Sequence, residues 1–157
     1  MKKLLILPLM FLLLGVARAE SPIYKQEVAA PLQAVYQSLY AALEQQKLWV
    51  VFEADMGRSI NGMAQRLGER HNQNGLQGIR SMVVCNPWYA NEVSNLDPDM
   101  LALCPLRVAL THKAGTTSML FARPSVQAQG SAALPVIVQV EQLVIDAIKA
   151  AAAAQTQ

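Results

Sequence analysis

The chain has 157 residues, a formal net charge of +2, 53% hydrophobic residues, two cysteines and two histidines. A charge so near zero lacks the cationic footprint that phosphate backbones demand, which excludes nucleic acid as a partner. The length fits one domain able to bury roughly two-thirds of its unfolded surface, so folding needs neither a metal nor an array of staples.

Lys2 and Lys3 precede the apolar run 4–14, and Ala17-Arg18-Ala19 supplies a small-x-small site before Glu20. That is the pattern of a secretory leader. The run is too short for a spanning helix, which needs about 20 apolar residues. We expect residues 1–19 to be a cleaved signal peptide and residues 20–157 a single periplasmic domain with no transmembrane segment. Without Lys2, Lys3 and Arg18, ten basic groups face eleven acidic ones, a formal net charge of −1.

Residues 23–28 read as a first strand. Pro31 opens a helix in which Leu32, Val35, Tyr36, Leu39 and Leu43 recur at helical spacing. From residue 48 the period drops to two, with Leu48, Val50 and Phe52 on one face and Trp49, Val51 and Glu53 on the other. This predicts a strand over 48–54 with both faces partly covered. Glycines interrupt 55–78; a short helix fits 61–67, and 68–78 reads as a polar loop. Residues 79–85 form a third strand. Asn86-Pro87 then signals a helix start, with Tyr89, Val93 and Leu96 as its apolar stripe. Asp97-Pro98 ends that helix and starts a further turn through Leu103; Asp97 and Asp99 suit helix starts better than catalysis. Strands 106–112 and 117–122 flank the turn Lys113-Ala114-Gly115-Thr116, and Pro124 stops the second. Leu134, Ile137, Val138, Val144, Ile145 and Ile148 mark a long apolar last helix, suited to covering the sheet or to a homodimer interface. The expected fold is α+β: a two-layer sandwich of a mixed or mostly antiparallel sheet with helices packed largely on one face.

The chemistry-bearing stretch is Val83-Val84-Cys85-Asn86-Pro87-Trp88-Tyr89. An even cysteine count in an oxidising compartment favours a Cys85–Cys104 disulfide. Closing a loop of about 20 residues is worth roughly 3 kcal/mol in chain entropy. Alternatively, a free Cys85 just before a helix N-terminus would gain nucleophilicity from the dipole and act in thiol redox or sulfur handling with Cys104. Copper is a second alternative, since Cys85, Cys104, His112, Met82, Met100 and Met119 are soft or borderline donors. No pair among them has a recognised ligand spacing, so no metal site and no cofactor is expected. Trp88 and Tyr89 beside Asn86 are candidates to line a ligand cleft, and we add His112, Arg107 and Arg123 to that candidate set. Nucleophile elbow, zinc-protease and phosphate-loop motifs are all missing, so catalysis is not expected.

Cys85-Asn86-Pro87 after a strand, Asp97-Pro98, Leu103-Cys104-Pro105 before the next strand, and Arg123-Pro124 after the hairpin together resemble the domain of unknown function 302 family. The resemblance covers residues 23–150. It implies a compact two-layer α+β fold, often dimeric, with no settled activity. In that pattern the second cysteine follows its proline, whereas Cys104 precedes Pro105. The expected function is a non-catalytic periplasmic domain that binds a small ligand or assists an envelope protein, stabilised by one disulfide.

Overall fold

A computed structural model describes residues 21–156; the segment 1–19, expected to be a signal peptide, lies outside the described residues. Five strands, β1 (Ile23–Val28), β2 (Trp49–Asp55), β3 (Gly78–Cys85), β4 (Leu106–Lys113) and β5 (Thr116–Ala122), form one sheet in the order β1-β5-β4-β3-β2. Every neighbouring pair is antiparallel. Helix α1 (Leu32–Gln45) carries the chain from one sheet edge to the other. Helix α6 (Leu134–Ala153) returns and packs beside α1 on the same face. Val35, Leu39 and Leu43 of α1 meet Met82, Val108, Leu110, Met119 and Phe121 of the sheet and Val144 and Ile148 of α6 in one fully buried cluster. The apolar face of α6 therefore covers the sheet, the first of its two expected roles; Val138, expected on that face, points to solvent. Among the described residues no helix is long and apolar enough to cross a membrane.

Edge strand β2 departs from the expected alternation. Val50 pairs with Val84 and Phe52 with Val83, so Val51 is an extra residue forming a bulge. Beyond the bulge the faces invert: Phe52 is 62% exposed, and Glu53 turns toward α1 instead. There Tyr36 donates its hydroxyl hydrogen to Glu53, and the Arg80 guanidinium lies 4.3 Å from the Tyr36 ring centroid. Burial first, then Glu53, pushes the Tyr36 phenol up to about 12. The outer face of β2 is open, with Trp49 and Val51 exposed beside Phe52, so two-sided coverage does not occur.

The segment after β2 is more ordered than its glycines suggest. Asp55 caps helix α2 (Met56–Gly62), accepting from Arg58 N at 2.9 Å. Helix α3 (Ala64–Leu67) and a 3-10 turn (Gly68–Arg70) follow. Asn72 then braces the polar loop by accepting from Leu76 N at 2.9 Å and donating to Leu76 O at 2.8 Å. Helix α4 (Pro87–Leu96) begins at the expected cap, with Asn86 Oδ1 accepting from Trp88 N at 2.9 Å and Tyr89 N at 3.4 Å. Val93 is buried, whereas Leu96 is exposed and does not extend the stripe. A second 3-10 turn, Pro98–Leu103, leads to β4. The β4–β5 turn has positive φ at Ala114 and Gly115, the two-residue geometry matched to strand twist.

After β5, helix α5 (Pro124–Gln127) is tied to α6 by one buried carboxylate. Glu141 accepts from Arg123 Nε at 2.7 Å and from Ser125 N at 2.9 Å. A second, smaller cluster of Val93, Ala128, Ala133 and Ile137 joins α4 to the start of α6.

Candidate functional site

The β3–β4 register brings the two cysteines together. Val84 lies opposite Leu106, so the residue leaving β3, Cys85, is a neighbour of the segment entering β4. Cys104 sits in that segment, after the 3-10 turn and before a cis bond to Pro105. The thiols are 4.1 Å apart and unbonded. Both are half-buried. Burial first, and then Cys85, pushes the Cys104 thiol up to about 11; at neutral pH it is a protonated, weakly nucleophilic sulfur.

The thiols form part of the wall of an apolar cavity of ≈ 40 Å³ between the two core clusters. Leu48, Tyr89, Met100, Leu103 and Ile137 are among the other walls. A hole of that size and lining stays dry and admits a small apolar group. Beside it lies an open groove of ≈ 340 Å³ lined by Gln46, Lys47, Trp49, Asn86, Trp88 and Tyr89. Asn86 and Tyr89 line both spaces, so the two adjoin: an aromatic, polar-edged groove beside an apolar hole. Trp88 is 57% exposed and Trp49 45% exposed, and Trp88 meets Tyr89 edge to face with centroids 4.8 Å apart. The rim is held by Asn86, whose Nδ2 donates to Lys47 O at 3.0 Å while its Oδ1 caps α4. Lys47 itself has φ 58, the left-handed turn that swings the chain from α1 into β2.

Of the candidate cleft residues, Asn86, Trp88 and Tyr89 are together at this site. The other three are elsewhere. His112 stands at the opposite end of β4, its Nδ1 2.9 Å from Thr117 Oγ1, and that hydroxyl donates to Ala30 O at 2.8 Å. Six residues of strand separate it from Leu106, a span of roughly 20 Å. Arg107 is exposed on the sheet face turned away from the helices. Arg123 is committed to Glu141. Among the described residues no three His, Cys, Asp or Glu side chains cluster as a metal-holding group. Lys47 and Trp49 belong to the site without having been singled out for it, and Met100, named only as a soft donor, also lines it. Trp49 carried a signal in retrospect: a tryptophan at the first position of an edge strand, directly across from Cys85.

No curated protein matches the chain. A solved structure, the uncharacterized conserved protein DUF302 from Bacillus stearothermophilus, shares the fold with a TM-score of 0.71 at 16% identity, covering 82% of this chain and 96% of that one. The model for the family described as "Domain of unknown function DUF302" matches residues 24–153, which takes in all five strands, both long helices and both cysteines. The chain belongs to the DUF302 family.

Proposed function

We propose that this protein is an exported, non-catalytic accessory domain that binds a small amphipathic molecule in the cleft around Asn86, Trp88 and Tyr89. The observation that carries the reading is the sharing of Asn86 and Tyr89 between the aromatic groove and the apolar cavity. One ligand can therefore touch both. Its flat or apolar body stacks between Trp49 and Trp88, a small apolar end enters the cavity, and a polar or anionic end meets Lys47 and Gln46. A groove of ≈ 340 Å³ falls at the lower end of the usual size for small-molecule sites, about 300–1,000 Å³.

Export rests on the leader pattern of residues 1–19. In an oxidising compartment the two thiols close as a disulfide that staples α4 to the start of β4. Closure brings the sulfurs from 4.1 Å to a bond of about 2.05 Å. The raised Cys104 thiol supports a staple over a cycling redox pair, because a high-pKa sulfur is both a slow attacker and a poor leaving group.

Both tryptophans of the chain line the groove, so intrinsic fluorescence reports on it directly. Titration with 1-anilinonaphthalene-8-sulfonate, an amphipathic anion, is expected to quench that fluorescence saturably. Trp88→Ala is expected to weaken binding at least about tenfold, as loss of a central aromatic anchor does. Unsaturable quenching, or equal affinity in the Trp49→Ala/Trp88→Ala double variant read by the dye's own emission, defeats the reading. Thiol counting in denaturant on protein recovered from the envelope is expected to find no free sulfhydryl.

A further inference from the structure

Three sulfur-bearing residues line one apolar cavity. Cys85 and Cys104 stand 4.1 Å apart in its wall, and Met100 reaches the same space from the 3-10 turn. The remaining walls are apolar side chains, with Asn86 and Tyr89 at the opening. Among the described residues no carboxylate or histidine joins the two thiols to make a three-membered set. That donor set is wrong for zinc, which takes four nitrogen, sulfur or oxygen ligands, and for calcium or magnesium, which take oxygens. Soft thiolate and thioether sulfurs suit monovalent copper, zinc and iron–sulfur clusters; zinc and the clusters call for four protein donors, so a two- or three-sulfur set favours Cu(I).

The spacing adds an independent argument. With metal–thiolate bonds of roughly 2.3 Å, an ion bridging sulfurs 4.1 Å apart subtends an angle of about 126°. This is wider than tetrahedral and close to trigonal, leaving one in-plane position for a third donor. The geometry points to a Cu(I) site in the reduced protein, with the Cys85 and Cys104 thiolates as ligands and the Met100 thioether as the third. Binding releases two protons to solvent and forms three sulfur–copper bonds, two to thiolates and one to the thioether; copper stays Cu(I) and no electron is transferred. The site then carries one net negative charge. Helix α4 begins two residues after Cys85, so its positive dipole end faces that charge. The site exists only while the cysteines are thiols, since a disulfide consumes both donors; copper binding and the disulfide staple are therefore mutually exclusive states of one pair, and copper binds before oxidation or where the pair is kept reduced. It does not rest on the ligand-binding reading, and it makes no use of Trp49 or Trp88.

The test is anaerobic titration of the reduced protein with Cu(I) against a chromogenic Cu(I) chelator. The expected result is one copper per chain with a sulfur-to-copper charge-transfer band in the near ultraviolet. Cys85→Ser or Cys104→Ser is expected to lower affinity at least about 100-fold, and Met100→Leu about tenfold. Far-ultraviolet circular dichroism checks that each variant is folded. Should a serine variant not fold, wild-type protein alkylated at both thiols with iodoacetamide serves in its place and is expected to hold no copper. Failure of the wild type to take copper from the chelator overturns the site. So does unchanged affinity in the alkylated protein, or Zn(II) bound as tightly as Cu(I). Loss of dye binding in the groove with copper binding intact would remove the proposed function and leave this site standing.

Discussion

Glu141 shows how one buried charge holds a corner of the molecule. Its side chain is 3% exposed, and both oxygens are used, one by Arg123 and one by the Ser125 backbone. A carboxylate in that position is stable only because both partners stay in place. Glu141→Leu is expected to lower stability by about 3 kcal/mol, since it removes the buried carboxylate that accepts from both Arg123 and the Ser125 backbone. Urea unfolding measures this as a lower midpoint at unchanged slope. Tyr36 makes the complementary case for pH. Its phenol ionises at 10.0 in the reference state and at about 12 in the folded protein. The folded state thus holds the proton more tightly, and the resulting stability is complete below pH 10.0. It is lost as pH rises through about 12. Stability measured across that window is expected to fall in the wild type and to lose this slope in Tyr36→Phe.

Local signals were legible where one residue type had one structural job. Asn86-Pro87 reads as a helix start because a short amide can cap two free N–H groups and proline needs none, and α4 begins there. Asn86→Ala, which removes both the cap and the bond to Lys47 O, is expected to cost at least about 1 kcal/mol, and Asn86→Ser, which keeps a capping oxygen, less; thermal unfolding distinguishes them. The period of α1 and the β4–β5 turn were readable for the same reason. β2 was not, because a bulge leaves composition unchanged while inverting every side chain beyond it. Nothing in Val50-Val51-Phe52 announces which residue is extra. Helix α2 was hidden behind Gly57 and Gly62, since packing against β3, where Gly57 lies against the Ile79 backbone, outweighs the low helix propensity of glycine.

The whole-molecule arrangement explains which parts of the cleft could be foreseen. Cys85, Asn86, Trp88 and Tyr89 are contiguous in the chain, so a stretch of sequence exposes them together. Cys104 could be paired with Cys85 by count alone, and the β3–β4 register supplies the contact. Lys47 and Trp49 reach the site from the α1–β2 junction and Met100 from the second 3-10 turn, and only the tertiary fold brings these two segments together. His112 and Arg107 show the reverse error. They share a strand with the site, but strand length and pleat carry them to its far end and its other face. The cleft thus occupies the end of the sheet where α4 and the second 3-10 turn close over the core, against the first turns of α6. Amide chemical-shift mapping during titration with 1-anilinonaphthalene-8-sulfonate tests this placement most directly. The expected result is a saturable set of shifts confined to residues 46–49, 84–93 and 100–106. Shifts centred instead on the open sheet face around Phe52 and Arg107, or none at all, would contradict it.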